Sequence, residues 1–185
     1  MNVGLKYLIY IVIILYSFVL IGCFDNPDSQ NYSKMKTVEH VDIERFMGDW
    51  YVIANIPTFI EKRATNAIES YQLGSDGTIK TTFTFFKDSP SGDKKTYRPT
   101  GFIKNKETNA EWRMQFLWPF KMPFLIIDLD KDYSYTVIGI PSRKYVWIMA
   151  RDSVLDDDLY EEILKRLSDI GYDISLIQKI TQDWN

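Results

Sequence analysis

Between residues 48 and 151 the chain is a succession of short segments in which apolar and polar side chains alternate, with no stretch of helical spacing among them. Alternation with a period of two places one set of side chains on each face of a β-strand. The segment 111–118 is the clearest instance: Trp112, Met114, Phe116 and Trp118 fall on one face, Glu111, Arg113 and Gln115 on the other. The first strand grows out of Phe46-Met47-Gly48-Asp49-Trp50-Tyr51-Val52-Ile53-Ala54-Asn55, where a glycine that permits a sharp turn precedes a large indole. Further strands are expected at 67–73, 78–87, 96–104, 124–129, 133–140 and 145–151. Gly74-Ser75-Asp76-Gly77, Asn105-Lys106-Glu107-Thr108-Asn109, Asp130-Lys131-Asp132 and Pro141-Ser142-Arg143-Lys144 separate them as turns. Longer loops are expected at 56–66, at 88–95 and between Pro119 and Pro123, the first long enough to fold over a barrel mouth. About eight antiparallel strands joined in this way specify an all-β, eight-stranded up-and-down barrel, whose closure removes both sheet edges and encloses room for one small ligand.

A helix is expected only after the strands. Asp156 can cap it, Asp157, Asp158, Glu161 and Glu162 suit its positive end, and Lys165 and Arg166 lie late in it. Leu159, Ile163, Leu164, Leu167 and Ile170 form one apolar stripe, and Gly171 suits the position just past its end, so the helix should pack by one face on the outside of the barrel. The stretch 175–181 can add a final edge strand. His40 precedes the first strand, and 42–46 can form one helical turn.

The first residues are of another kind. Lys6 is followed by an apolar run of about 15 residues, the length of a secretory leader's core and short of the ~20 that a membrane span needs. The run ends in Leu20-Ile21-Gly22-Cys23, which resembles the lipobox of bacterial lipoproteins, with Cys23 as the acceptor of lipid. The expected organisation is a leader at 1–22, a lipidated polar tether at 23–38 and one domain at 39–185. Removing the leader, whose only charge is Lys6, makes the net charge of −3 one unit more negative. Cys23 is the only cysteine, so a disulfide is unavailable to this fold and core packing must hold it. Several acyl chains give stable attachment to a bilayer without a span. Phe24, rather than an aspartate, after Cys23 favours the bacterial outer membrane, with the domain facing the periplasm.

Several function classes lack the residues they need. The basic side chains are scattered among acidic ones, which argues against nucleic acid as a partner. His40 is the only histidine and has no cysteine or histidine near it to share a metal. No G-x-S-x-G elbow occurs, and acidic pairs such as Asp157-Asp158 belong to the helix start, so neither a catalytic site nor a cofactor is expected. Alternation assigns inward Val52 and Ala54, Ile79, Phe83 and Phe85, Trp112, Met114 and Phe116, and Tyr145, Trp147 and Met149. Such side chains either line a ligand cavity or fill a core.

Three motifs in order resemble the lipocalin signatures: Gly48-Asp49-Trp50-Tyr51, Asp130-Lys131-Asp132-Tyr133 and Met149-Ala150-Arg151. Thr108-Asn109-Ala110, Trp118-Pro119-Phe120, Tyr145-Val146-Trp147-Ile148 and Gly171-Tyr172-Asp173 resemble stretches of the bacterial outer-membrane lipoprotein group of that family. The resemblance covers roughly residues 41–181 and implies a lipocalin barrel that binds a lipophilic ligand such as a fatty acid or lysophospholipid, for storage, transport or envelope maintenance. It makes Gly48, Trp50, Asp132, Tyr133 and Arg151 structural, with the Arg151 guanidinium laid over the Trp50 indole. It points to Trp147 as a wall of the lipid cavity, and it also admits a homodimer. Glu69, on the inner face expected for the second strand, and Asp128 stand where relatives often carry small residues, and Lys121 where a tyrosine is common; an inward Glu69 makes the pocket more polar than its relatives', the alternative being a different register for that strand, and Glu69 or Lys121 could set head-group preference. The other readings are an anchored structural or partner-binding protein with a filled barrel and a lipid-modifying enzyme.

Overall fold

The structure, a computed structural model, describes residues 35–184; the leader, Cys23 and the tether up to residue 34 lie outside the described residues. Met35 is already buried and the Val38 N–H donates to the Ile126 carbonyl (3.0 Å), so packing begins within the stretch that composition marks as tether. A single helical turn, α1 (Ile43–Phe46), follows, capped by the Asp42 carboxylate, which accepts from the N–H groups of Glu44 (3.0 Å) and Arg45 (3.2 Å). At Gly48 φ is +94°, a conformation that a side chain would strain, and Arg151 Nη1 lies only 3.3 Å from where a Cβ would stand.

The strands are β1 (Gly48–Ile56), β2 (Ala64–Leu73), β3 (Ile79–Lys87), β4 (Asp93–Tyr97), β5 (Thr100–Ile103), β6 (Glu111–Leu117), β7 (Phe120–Leu129), β8 (Tyr135–Gly139) and β9 (Val146–Ala150). Every pairing is antiparallel, and β9 returns to β1 with Tyr51 opposite Ala150 and Ile56 opposite Val146, which closes the barrel. Both β4 and β5 pair with β3, so together they occupy one of eight barrel positions, interrupted at Arg98-Pro99. The 74–78, 104–110 and 130–134 turns gather at the end where β1 starts, and the 57–63, 88–92 and 140–145 segments at the other. We call these the base and the mouth.

Two expectations fail locally. The Pro119–Pro123 stretch is not a loop: Leu117 pairs with Phe120 in a tight hairpin, and β7 runs straight through Pro123. Trp118, expected on the inner face, therefore sits at the hairpin tip, where it is exposed. The other failure is Ala54. The β1–β9 register shifts between Val52 and Ala54, so Val52 stays inward while Ala54 turns outward, opposite Ile148. Beyond the shift, alternation counted from Trp50 is out of phase.

The outward residues of β1, β7, β8 and β9 form a second core beneath α2 (Asp157–Asp169). Tyr160, Ile163 and Leu167 of the helix pack there with Ala54, Val137 and Ile148. Asp156 caps the helix through a bond from the Leu159 N–H (3.0 Å), as its position suggests. Asp128 belongs to this outer layer and not to the interior: its carboxylate accepts from Arg166 Nε (2.9 Å), and Arg166 also donates to the Tyr135 hydroxyl (3.2 Å). After a 3-10 turn (Ile174–Leu176), the tail supplies β10 (Gln178–Lys179), shorter than the strand expected at 175–181 and paired with Ala54 and Asn55 of β1.

The base is sealed by aromatic rings. Phe46, Trp50, Tyr71, Trp112 and Phe124 are buried with neighbouring ring centres 5.1–6.1 Å apart, and Trp50 Nε1 donates to the Phe46 carbonyl (2.9 Å). The Arg151 guanidinium carbon lies 3.8 Å from the centre of the Trp50 ring. Its nitrogens donate to the carbonyls of Asp49 (2.7 Å), Arg45 (2.8 Å), Met47 (2.8 Å) and Phe46 (3.2 Å), and so satisfy the exposed end of α1. Tyr133 completes the seal, its hydroxyl accepting from the Asp42 N–H (2.8 Å) and its ring lying 4.1 Å beneath the Arg45 guanidinium. Asp132 is exposed, 3.9 Å from Lys131. The turn is instead held by Asp130, whose carboxylate takes the Ser134 hydroxyl (2.7 Å) and the N–H groups of Asp132 (3.1 Å) and Ser134 (3.3 Å), and these bonds keep it below the usual carboxylate range.

Replacing Arg151 removes a cation–π contact of up to ~2 kcal/mol and takes its donors from the carbonyls of Arg45, Met47 and Asp49, while Phe46 keeps Trp50 Nε1, so Arg151→Met is expected to destabilise the domain by about 3 kcal/mol in urea titrations. Arg151→Lys should recover less than half of this, because an ammonium cannot bridge the same carbonyls. An unchanged urea midpoint in Arg151→Met would contradict this account.

Candidate ligand-binding cavity

Above the aromatic seal the barrel holds a cavity of about 370 Å³ that opens at the mouth. Its deepest polar group is Glu69, next to Met114 and Phe124; its wall includes Tyr97, Arg98 and Pro99 at the break between β4 and β5. Phe116 and Met122 of the β6–β7 hairpin and Tyr145 and Trp147 at the start of β9 frame the entrance, and residues 58–61 lie across it. The lining is chiefly carbon, which suits an apolar guest.

The 57–63 segment is latched down by a residue that alternation does not flag. Glu61 is buried, and its carboxylate accepts from Trp147 Nε1 (2.7 Å), the Thr58 N–H (2.8 Å) and the Thr58 hydroxyl (2.7 Å). Thr58-Phe59-Ile60-Glu61 has the S/T-x-x-E spacing of a reciprocal cap, the one sequence signal by which Glu61 could be found. Trp147 therefore does two jobs, walling the cavity and holding the segment over it.

Glu69 points inward, as its place on β2 suggests. It is buried and takes a hydrogen bond from the Tyr71 hydroxyl. Burial pushes its pKa up from 4.5 to about 7 against the lowering effect of the Tyr71 bond, with a further push from the Glu61 charge. Burial and the Glu69 charge raise Tyr71 well above its ordinary value, so it remains a donor.

Of the side chains assigned inward, Met114, Phe116, Tyr145 and Trp147 reach the cavity. Trp112 belongs to the base seal, while Val52, Ile79, Phe83, Phe85 and Met149 are buried in the interior core and fill it. Phe83 and Phe85 stack with Tyr97 (6.5 and 6.2 Å between ring centres), carrying the filled region up to the cavity wall. Lys121 lies outside, its Nζ 3.4 Å from the centre of the Phe102 ring. His40 is exposed near the base with Nδ1 3.3 Å from the Glu107 carbonyl oxygen, and among the described residues no group of His, Cys, Asp or Glu is placed to hold a metal ion.

A family profile described as a lipocalin-like domain matches residues 41–182. The chain is a lipocalin. It is 30% identical over 164 residues to temperature-induced lipocalin-1 of Arabidopsis thaliana, covering 80% of this chain and 83% of that one. It is 22% identical to the outer membrane lipoprotein Blc of Vibrio cholerae, over 93% of this chain and 98% of the other. Among solved structures, insecticyanin from the tobacco hornworm Manduca sexta superposes with a TM-score of 0.64 at 20% identity, over 82% of this chain and 85% of its own. Lobster apocrustacyanin A1 gives 0.59 at 17% identity, over 76% and 79%. Lipocalins are in general binding proteins for small hydrophobic molecules, and the cavity of this lipocalin lies at the mouth of the barrel.

The raised Glu69 pKa makes a pH-dependent demand on stability. In the window from 4.5 to about 7 the folded chain holds a proton that the unfolded chain releases, so stability falls as pH rises through that window and levels off above it. A shift of this size corresponds to about 3 kcal/mol at most. Glu69→Gln should flatten the dependence, its advantage over the wild type growing from about pH 5 to about pH 8 in chemical denaturation. Parallel profiles for the two proteins would contradict a buried, protonated Glu69.

Proposed function

We propose that this lipocalin is a lipoprotein, anchored through diacylglycerol on Cys23 in a bacterial outer membrane with its barrel in the periplasm, that takes up a fatty acid or lysophospholipid for storage, transport or envelope maintenance. The observation that carries this reading is the carbon-lined cavity of about 370 Å³ that opens at the mouth beside the Glu61–Trp147 latch. Its size falls in the ~300–1,000 Å³ range of small-molecule sites. Burying ~300 Å² of acyl chain at ~25 cal/mol/Å² yields ~7 kcal/mol before ordering costs, enough for roughly micromolar binding without specific polar recognition. The filled lower half sets the depth of the guest: the chain end reaches Glu69 and Met114, and the head group stays near the rim, where Arg98 supplies a cation. Glu69 meets the guest in its neutral form below about pH 7, which suits contact with a tail better than with a second carboxylate. Binding without turnover is the reading that membership of the lipocalins supports. The similarity to outer membrane lipoproteins supports the envelope location.

Native mass spectrometry of the purified, delipidated protein titrated with lysophospholipid and with fatty acid tests the reading. A one-to-one adduct is expected, weakened about tenfold in Trp147→Ala, which removes a wall and the latch together. Absence of a stoichiometric adduct with either lipid would favour a structural role for the barrel and overturn the transport reading.

A further inference from the structure

The mouth carries apolar surface that the barrel does not need. At the β6–β7 tip Leu117, Trp118 and Phe120 are 71%, 81% and 69% exposed, and Phe59 on the overlying segment is 84% exposed. Phe59 and the neighbouring Phe116 also line the cavity, so apolar surface runs from the interior out toward the tip. The wall beside it is incomplete. Hydrogen bonding from β6 to its neighbour stops at Thr100 opposite Gln115, and above that level β4 pairs only with β3. Arg98 and Pro99 on one side and Phe116 and Met122 on the other line the cavity at this gap.

Charge is divided between the two ends of the barrel. The mouth segments carry Lys62, Arg63, Lys94, Lys95, Arg98, Lys121, Arg143 and Lys144 against Glu61, Asp88 and Asp93, while the base carries Asp42, Glu44, Asp49, Asp76, Glu107, Asp130 and Asp132 among fewer basic residues. A chain of net charge −3 thus has a basic mouth. Aromatic side chains ringed by lysine and arginine suit the interface of a bilayer that contains anionic lipid.

We propose that the mouth is a docking face for an anionic lipid bilayer, with the Leu117–Phe120 tip set into the interface and ligand passing between bilayer and cavity through the gap between β4 and β6. A second copy of this chain fits the face less well, because a two-fold pairing through the mouths would set basic residues against basic residues. The passage of ligand rests on the reading given under the proposed function.

The test uses full-length protein in vesicles of phosphatidylcholine, with and without phosphatidylglycerol, in which the acyl chains are brominated to quench tryptophan. Quenching in the phosphatidylglycerol vesicles is expected to fall about twofold in Trp118→Tyr: Trp50 and Trp112 are buried in the seal, and the residual signal comes from Trp147 at the entrance and Trp184 on the tail. It should fall similarly in Lys94→Glu/Lys95→Glu and at high salt. Equal quenching in wild type and Trp118→Tyr, or no preference for phosphatidylglycerol, would overturn the proposal. So would a Trp118-dependent dimer in light scattering without vesicle quenching, which assigns the face to a second copy. Adduct formation by Trp118→Tyr in native mass spectrometry reads the cavity separately, so loss of docking and loss of ligand binding are distinguishable.

Discussion

The contact of Arg151 with Trp50 is the one on which the rest of this barrel rests. It joins the residue after the last barrel strand to the indole of the first, and the same guanidinium satisfies the carbonyls that end α1. The α1–β1 segment and the end of β9, distant in sequence, are thereby fixed at one end of a closed sheet. The indole needs a planar cation above it and the helix end needs several donors in one place. Arginine supplies both, and lysine would supply neither geometry. With the base closed by this contact and the surrounding rings, the mouth is free of that structural duty, and the interior can remain unfilled there.

The two carboxyl groups of the cavity show how different surroundings divide their work. Glu61 receives three donors from Trp147 and Thr58 and acts as a fastening between the overlying segment and the barrel wall. Glu69 receives one, from Tyr71, in a place where burial outweighs that bond and holds the proton on. One carboxyl therefore positions the cover, and the other gives an otherwise apolar interior a polarity that depends on pH.

Most of the architecture was legible because it rests on local rules. Alternation gave the barrel strands, the aspartate cap and terminal glycine marked α2, and the three signatures placed Trp50 and Arg151 together. The failures share a cause: a change of phase or of pairing that depends on the partner strand. Ala54 was misassigned because the register shift in β1 is visible only against β9. Alternation carries Trp118 onto the inner face and Pro119 and Pro123 read as a loop, whereas β7 passes through Pro123 and the chain reverses at the tryptophan itself. The family resemblance points to Asp132, but which aspartate of Asp130-Lys131-Asp132 faces Ser134 is a matter of backbone geometry. Asp128, a departure from the family's usual small residue, is the partner of Arg166 on a helix whose face pattern alone does not name what it docks against. For the cavity, composition could not separate filling from lining, because that depends on depth along the barrel, and depth follows from which end is sealed.

The barrel has two places where neighbouring strands part, and it treats them differently. Beyond Tyr51 and Ile68 the β1–β2 ladder ends, but the chain's own tail fills the opening: Ile180 and Asn66 make backbone bonds across it, and Gln182 donates to the carbonyls of Val52 (2.9 Å) and Ala67 (3.2 Å). The gap between β4 and β6 has no such strand. There the interruption at Arg98-Pro99 follows from a residue with no N–H to offer, and the flanking side chains that reach the cavity are largely apolar. An unpaired strand edge facing water is a liability that folds ordinarily cover. That the tail closes one opening and leaves the other, beside the most exposed apolar residues of the mouth, makes the second the natural route by which a lipid would enter.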